Sequence, residues 1–416
     1  MKRSIWNWLF VISSFALALM SAYLILTESM PEWMPVQREY YRRLARVTGD
    51  PTRARQPLKI QQIYLPQFHK TDRCITCHVG IDNPKMAKQP QPFASHPDLG
   101  IPNFLSVHSF TEIGCTVCHG GQGSATTKDA AHGRVPHWEE PLLNANLVVS
   151  NCAVCHANVF ELKGAEKLAQ AKALFETKGC IGCHALNGVG NQIGPELSDT
   201  GKKLLDELDF RHVHGPHTVA NWIFDHFKDP QRVVPEDRVQ GIPESPMPNY
   251  ELTDDQTNAL TALVLSFAAA KEDDKHPIPA RFHVPAPPKR EEKKLFASKV
   301  EQGKAAFKSY GCTACHGMEG RGGVRNKNMY PGEEVPPLIY VSAGFTKDEL
   351  KTVIRDGRYP ARADASGMSP PLWMPAWKGK IPEEEIEAIV EYLYTLHPEP
   401  GEKAPAGSAG EEVKKS

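Results

Sequence analysis

All ten cysteines of the 416-residue chain fall into five copies of the pentapeptide Cys-x-x-Cys-His. Two thiols three positions apart can add to the two vinyl groups on one haem edge, and the adjacent imidazole then reaches the iron as its proximal ligand. The pattern predicts five covalently bound haem c groups. The residues concerned are Cys74, Cys77 and His78; Cys115, Cys118 and His119; Cys152, Cys155 and His156; Cys180, Cys183 and His184; and Cys312, Cys315 and His316.

Other uses of such cysteine pairs fit the sequence less well. A single Cys-x-x-Cys could form a redox-active dithiol or half of a zinc site. A disulfide framework would show spacings that vary from pair to pair. Here the spacing never varies, a histidine follows every pair, and no cysteine is left over. Haem attachment is therefore the favoured interpretation.

Composition limits the architecture and the class of partner. A chain of this length predicts two to four domains. The net charge of -1 offers no field that would attract nucleic acid, which we do not expect as a partner. With 35 prolines, 31 glycines and 8% aromatic residues, the sequence suits small, mainly α-helical domains with long loops and a core that is partly porphyrin.

Residues 1–27 predict a transmembrane signal anchor. Lys2 and Arg3 precede an apolar run from Ile5 to Leu26, which matches the ~20 residues needed to cross a bilayer as a helix. A cleaved signal peptide, the alternative, has a shorter apolar core and a small-x-small cleavage site. The basic pair predicts that the N-terminus stays in the cytoplasm. We expect the bacterial inner membrane as the location, with the haem domains on the periplasmic side.

Residues 28–60 are predicted to form a juxtamembrane segment. Trp33, Tyr40 and Tyr41 are aromatic residues of the kind found at the lipid interface. Two interpretations of this segment are open. It could be a short amphipathic helix near the membrane or against a partner subunit, or a solvated helix with a charged face.

Residues 61–162 contain three of the motifs and little hydrophobic periodicity, which predicts a loop-rich three-haem module. Each iron needs a sixth ligand, and Met86 is the only methionine here, so bis-histidine ligation is the economical interpretation. The candidate distal ligands, in order of preference, are His96, His132, His137, His108 and His69.

The stretch from Phe110 to His132, which reads FTEIGCTVCHGGQGSATTKDAAH, resembles a module of membrane-anchored multihaem cytochromes. In bacteria these often accompany quinol-oxidising complexes of the Rieske and cytochrome b type. The resemblance implies such a complex as a partner.

The remaining two motifs belong to an internal repeat. The segment Lys172–Cys180 aligns without gaps on Lys304–Cys312, and each predicts a helix that runs into a haem motif. Each copy continues to Met-Pro-x-aromatic, at Met247 and at Met374, and then to an apolar-periodic helix. The predicted domains are 163–270 and 296–397.

This order of elements resembles the class I cytochrome c domain, twice. The resemblance implies His184 with Met247, and His316 with Met374, as axial pairs. Met318 lies too close to its own motif to reach the far face of the haem. Met368 is the second candidate for the axial ligand in the last domain. Gly194–Leu197 matches the family's Gly-Pro-x-Leu loop, whose carbonyl accepts from the proximal imidazole. The last domain departs from this pattern, with Pro336–Leu338 as its nearest equivalent.

Three smaller features complete the chain. Residues 271–295 are proline-rich and charged, which predicts a stiff, solvated linker, and residues 398–416 have a composition typical of disorder. Residues His212, His214 and His217 could form a zinc site, although a polar loop that opens a helix is favoured.

The leading hypothesis is a membrane-anchored subunit that takes electrons from a quinol-oxidising cytochrome b or Rieske partner and delivers them to a soluble cytochrome c, a terminal oxidase or a reductase. Methionine ligation raises a haem's potential, so electrons should run outward from the membrane. No catalytic residue is required. A stand-alone quinol dehydrogenase or shuttle is the alternative, and a multihaem reductase or peroxidase, which needs an open iron position, is less favoured.

Overall fold

The computed structural model describes residues 2–28, 30–97, 99–234, 245, 247–269, 280–285, 296–398 and 401. These residues form a mostly helical protein with two short antiparallel hairpins. The chain divides into two compact units, Met1–Asn144 and Ala145–Ser416. Most of the predicted linker (271–279 and 286–295) and nearly all of the predicted disordered tail lie outside the described residues.

The first unit begins with a helix whose sequence suits a bilayer. Within it, Ile5–Thr27 has a mean hydropathy of 2.3, and its large apolar side chains are exposed, as lipid contact would require. The elements of this unit are helices α1 (Lys2–Glu28), α2 (Trp33–Thr48), α3 (Phe104–Val107), α4 (Phe110–Ile113), α5 (Thr116–His119) and α6 (Lys128–Ala131), and strands β1 (Ile63–Leu65) and β2 (Lys70–Asp72).

Helix α2 packs on the protein along one face. Trp33, Gln37, Tyr40 and Leu44 follow helical spacing and are all buried. Tyr40 and Leu44 form a cluster with Met86, which is fully buried and so fills the core under α2. The sequence left open whether this segment faces membrane, partner or solvent, and the structure places this face against the region of the first haem motif.

The second unit contains two domains built alike, each with a helix before its motif and a terminal helix that crosses it. Phe175 on the first helix contacts Phe267 edge to face at 5.9 Å, and Phe307 contacts Tyr392 at 5.6 Å in the second domain. The elements are helices α7 (Glu166–Lys178), α8 (Val219–Lys228), α9 (Asp254–Ala269), α10 (Lys299–Ser309), α11 (Thr313–His316), α12 (Val341–Gly344), α13 (Lys347–Asp356) and α14 (Glu383–Tyr394), and strands β3 (Ala185–Leu186) and β4 (Val189–Gly190).

Each domain also has a ten-residue helix between its motif and its methionine, α8 in one and α13 in the other. Both begin after a threonine whose hydroxyl accepts from the backbone three residues on, at 3.1 Å for Thr218 and 3.3 Å for Thr346. Because both helices start on the same cap and have equal length, their positions correspond one to one.

The third motif lies in the second unit, whereas the sequence grouped it with the first two motifs in 61–162. The 3-10 turn Val148–Val154 that carries it packs against α9. Val284, from the predicted linker, donates its backbone N–H to the Cys155 carbonyl at 2.8 Å and accepts from Ala157 at 3.1 Å. This part of the linker is therefore paired with a haem motif.

Candidate haem-binding sites

All five motifs adopt the same helical turn. In each, the histidine N–H donates to the carbonyl of the first cysteine, which places both cysteines and the imidazole on one turn of backbone. The N···O distances are 2.9 Å for His78, His119 and His156 and 3.0 Å for His184 and His316. Motifs in short 3-10 turns and motifs in short α-helices thus share one local geometry.

The first two motifs are joined by a buried carboxylate. Asp72, at the end of β2, accepts from the backbone N–H of Cys115 at 2.5 Å and of Thr116 at 3.0 Å, and from the Thr116 hydroxyl at 2.6 Å. A Cβ on Gly114 or Gly123 would collide with this carboxylate. Since Asp72 lies two residues before Cys74, one side chain fixes both motifs.

The cysteines of these two motifs also meet. The Cys115 thiol lies against the Cys74 thiol, and this contact, together with burial, raises the pKa of Cys115. Two haems attached here would approach each other through their thioether edges.

Two of the predicted distal histidines lie among the proximal ones. The ring of His96 is 6.3 Å from that of His119, and His132 interacts electrostatically with His78. Burial lowers the pKa of His119, His78 and His132, with the neighbouring histidines adding to the effect on the first two, so these imidazoles are neutral and suited to metal ligation.

The other candidate distal ligands are His108, His69 and His137. Nδ1 of His108 lies 3.1 Å from the carbonyl oxygen of Phe104, and the His108 ring stacks on the Phe104 ring. His69 and His137 have left-handed backbone conformations, with φ of 51° and 65°. The distal ligands of the first three motifs therefore stay predictions.

The fourth and fifth motifs pack directly against each other. Gly179 (φ 72°) and Gly311 (φ 72°) adopt left-handed conformations, and a Cβ on Gly179 would lie 2.5 Å from the Thr313 hydroxyl. A Cβ on Gly311 would collide with the backbone of Gly182. The Thr313 hydroxyl donates to the Thr177 carbonyl at 3.3 Å. Only glycine permits this approach of two backbones.

The thiols of this second pair show the same proximity. Cys183 contacts Cys315, and that contact with burial raises the pKa of Cys183 well above its usual value. Burial raises the pKa of Cys180 and Cys312 to about 12, so these sulfurs are neutral thiols at physiological pH.

The proximal histidines of these two domains fit a haem. His184 has its Nδ1 2.8 Å from the Pro195 carbonyl, the contact that the Gly-Pro-x-Leu loop implies, and a haem iron would be bound through Nε2. A Cβ on Gly194 would lie 2.5 Å from the same ring. Burial lowers the pKa of His316 to about 4, and the Pro336 backbone opposes that shift. Pro336 is thus the backbone neighbour of the His316 ring, although Nδ1 of His316 makes no hydrogen bond like the one between His184 and Pro195.

The methionines differ between the two domains. Met374 packs against the core of its domain, and its backbone pairs with Arg358 at 2.8 and 2.9 Å. Met368 and Met318 are exposed at the surface, at 56% and 44%. Met247 has its sulfur 3.1 Å from Nε2 of His226, a residue that the sequence analysis did not select.

The three clustered histidines do not converge. His214 contacts Asp225 at 3.2 Å, His217 stacks on Phe210 at 4.7 Å, and His212 faces Arg232 at 3.4 Å. Among the residues that the structure describes, no three side chains of metal-binding type come together.

Comparison with known proteins assigns the two domains. Residues 168–268 match the family described as cytochrome c, and residues 298–393 match the family described as cytochrome C oxidase, cbb3-type, subunit III. Both ranges lie within the predicted domains 163–270 and 296–397.

Individual relatives point the same way. Cytochrome c6 of Euglena gracilis is 34% identical over 56 residues, which are 14% of this chain and about half (49%) of that protein. Cytochrome c6 of Euglena viridis is 27% identical over 88 residues, 20% of this chain and 78% of that protein. No solved structure matches the chain.

These matches support a c-type cytochrome with two cytochrome c domains. Such domains imply covalently bound haem c and an electron-transfer function. When bound, haem supplies one-electron redox chemistry, and the protein supplies the ligands and the surrounding dielectric. The N-terminal apolar helix is compatible with a membrane anchor.

Proposed function

We propose that this protein is a membrane-anchored cytochrome with five covalently attached haems, which carries electrons from a quinol-oxidising complex of the cytochrome b and Rieske type to acceptors outside the cytoplasmic membrane. The observation that carries the haem count is the shared turn. Three motifs outside the matched domains repeat the 2.9–3.0 Å hydrogen bond of the two motifs inside them.

The grouping of the motifs supports electron transfer along the chain. Thiols of the first and second motifs touch, as do thiols of the fourth and fifth, and the third motif packs on the terminal helix of the first cytochrome c domain. Within each unit, haem edges would therefore be close enough for electrons to pass without an intervening catalytic group. Histidine-rich surroundings in the first unit and Met374 in the last domain favour electron flow away from the membrane.

The proposed quinol-oxidising partner is supported by the resemblance of 110–132 and by helix α1, the one candidate membrane span among the residues that the structure describes. Helix α1 contains no histidine and cannot hold haem within the bilayer. A quinol site with its own membrane haems would need another subunit, so a partner is part of the proposal.

The test is purification of the full-length protein from mild-detergent extracts of native membranes. We expect cytochrome b and Rieske-type subunits to co-purify, and a quinol to reduce the c-type haems only while those subunits are present. A preparation without any other membrane subunit that still oxidises quinol would contradict the proposal and point to a stand-alone quinol dehydrogenase.

A further inference from the structure

The imidazole of His226 is held from three sides on α8. Its Nδ1 lies 2.6 Å from the Val233 carbonyl oxygen, and its ring stacks on Trp222 at 5.0 Å with planes 6° apart. Its Nε2 lies 3.1 Å from the sulfur of Met247. The ring is thus fixed with one nitrogen directed at the residue predicted as the sixth iron ligand.

The hydrogen bond to Val233 settles the tautomer. A carbonyl oxygen only accepts, so Nδ1 carries the proton, and Nε2 of the neutral ring presents a lone pair. The thioether sulfur of Met247 presents lone pairs as well. Two electron-pair donors at this distance repel each other, and an electron-pair acceptor such as iron would relieve that repulsion by binding one of them. A histidine whose Nδ1–H is held by a backbone carbonyl is the form that ligates metals.

The second cytochrome c domain provides the comparison. The eighth residue of α8 is His226, and the eighth residue of α13 is Ile354. Ile354 is buried in the core cluster against which Met374 packs. An isoleucine leaves methionine as the available ligand in that domain, whereas the first domain offers an imidazole at the same place.

We propose that His226, rather than Met247, is the distal iron ligand of the haem attached at Cys180 and Cys183. The inference rests on covalent haem at this motif, which belongs to the proposed function. Bis-histidine ligation lowers the potential of this haem relative to a methionine-ligated one. The second cytochrome c domain, with Met374, then holds the highest-potential haem and is the exit for electrons.

One other arrangement satisfies the same contacts. A doubly protonated His226 would donate from Nδ1 to Val233 and from Nε2 to the Met247 sulfur, which would keep Met247 on the iron. That arrangement requires a charged imidazole in a partly buried site. The two arrangements differ in which atom binds iron, and spectroscopy distinguishes them.

The experiment measures the far-red sulfur-to-iron charge-transfer band of the oxidised full-length protein and of three variants. We expect Met247→Leu to leave the band unchanged and Met374→Leu to abolish it. His226→Ile, which copies the second domain, should increase the band about twofold because Met247 then binds the iron. If Met247→Leu halves the band and His226→Ile leaves it unchanged, His226 is not the ligand.

Two further measurements keep the result interpretable. Electron paramagnetic resonance of His226→Ile that shows new high-spin iron would also support the inference, because it means that a ligand was lost. Mass analysis of the peptide with Cys180 and Cys183 reports haem attachment separately. Absence of haem there would contradict the proposed function. Attached haem, with the band halved in Met247→Leu and neither a larger band nor new high-spin iron in His226→Ile, contradicts only the assignment of His226.

Discussion

The two cytochrome c domains have the same scaffold and different surroundings for the iron. Both have the motif turn, the crossing of first and last helices, and a threonine-capped helix of ten residues. They differ at the residue that faces the methionine loop, His226 against Ile354, and at the loop behind the proximal histidine, Pro195 against Pro336. The Cys-x-x-Cys-His motif is thus kept constant while the residues beside the predicted axial ligands vary.

The two motif pairs are also built by different means. In the first unit a buried carboxylate, Asp72, holds the second motif through three hydrogen bonds. In the second unit Gly179 and Gly311 let two backbones touch. Both solutions place thiols of two motifs together, so close approach of the two attachment sites is the common outcome.

The largest expected effect on stability comes from a substitution where the first and last helices of a cytochrome c domain cross. A Cβ on Gly303 of α10 would overlap the Ala388 carbonyl on α14, while the aligned position in α7 is the fully buried Ala171. Gly303→Ala should destabilise its domain by about 3 kcal/mol through overpacking. Thermal unfolding followed by circular dichroism measures the change.

The matched control is Ala171→Gly, which removes a methyl from the other crossing and should cost about 1 kcal/mol. Equal effects of the two substitutions would show that the crossings are equally tight, against the difference described here.

The next largest expected effect on stability concerns the contact between the fourth and fifth motifs. Gly311→Ala adds a methyl where Gly182 approaches and should destabilise the second unit by about 2 kcal/mol. Gly188→Ala is the control, because Gly188 has a similar φ of 75° with nothing within 4 Å, and should cost about 1 kcal/mol. Denaturant unfolding of both variants separates backbone strain from the lost contact. If Gly311→Ala lowers the free energy of unfolding no more than Gly188→Ala does, the close contact between the two motifs contributes nothing to stability.

The difference between His226 and Ile354 predicts a change of potential. His226→Ile should raise one midpoint potential by on the order of 100 mV, within the ~0.8 V range that axial ligands span. A spectroelectrochemical titration resolves this haem from the others. A titration curve that does not move would mean that the two domains share one ligand set.

The smallest expected effect concerns a surface ion pair of the second domain. Lys299 lies 2.7 Å from Glu387, and both side chains are more than two-fifths exposed. Solvent and salt screen such a pair, so Lys299→Ala should leave the unfolding midpoint unchanged within error at moderate salt. A clear loss of stability would show that the pair contributes to the crossing of α10 and α14.

Much of the architecture follows from local sequence. The two single-haem domains were predicted from a gap-free repeat, and the family matches lie inside the predicted limits. The helix that could serve as anchor follows from one apolar run. These features depend on neighbouring residues, which is why a single sequence reveals them.

What the sequence did not reveal depends on distant contacts. The third motif packs on α9, about a hundred residues later, and no local pattern encodes that pairing. His226 and Met247, which are 21 residues apart in the sequence, meet in a contact that no local pattern encodes. The signal was nevertheless present: aligning the two domains a second time, at Thr218 and Thr346, places His226 opposite Ile354.

The central claim is that five haems are covalently attached, and the intact mass of the full-length protein purified from membranes tests it most directly. We expect the polypeptide mass plus five haems, with each haem found on a peptide that contains one Cys-x-x-Cys-His motif. A mature protein with fewer than five haems would contradict the account.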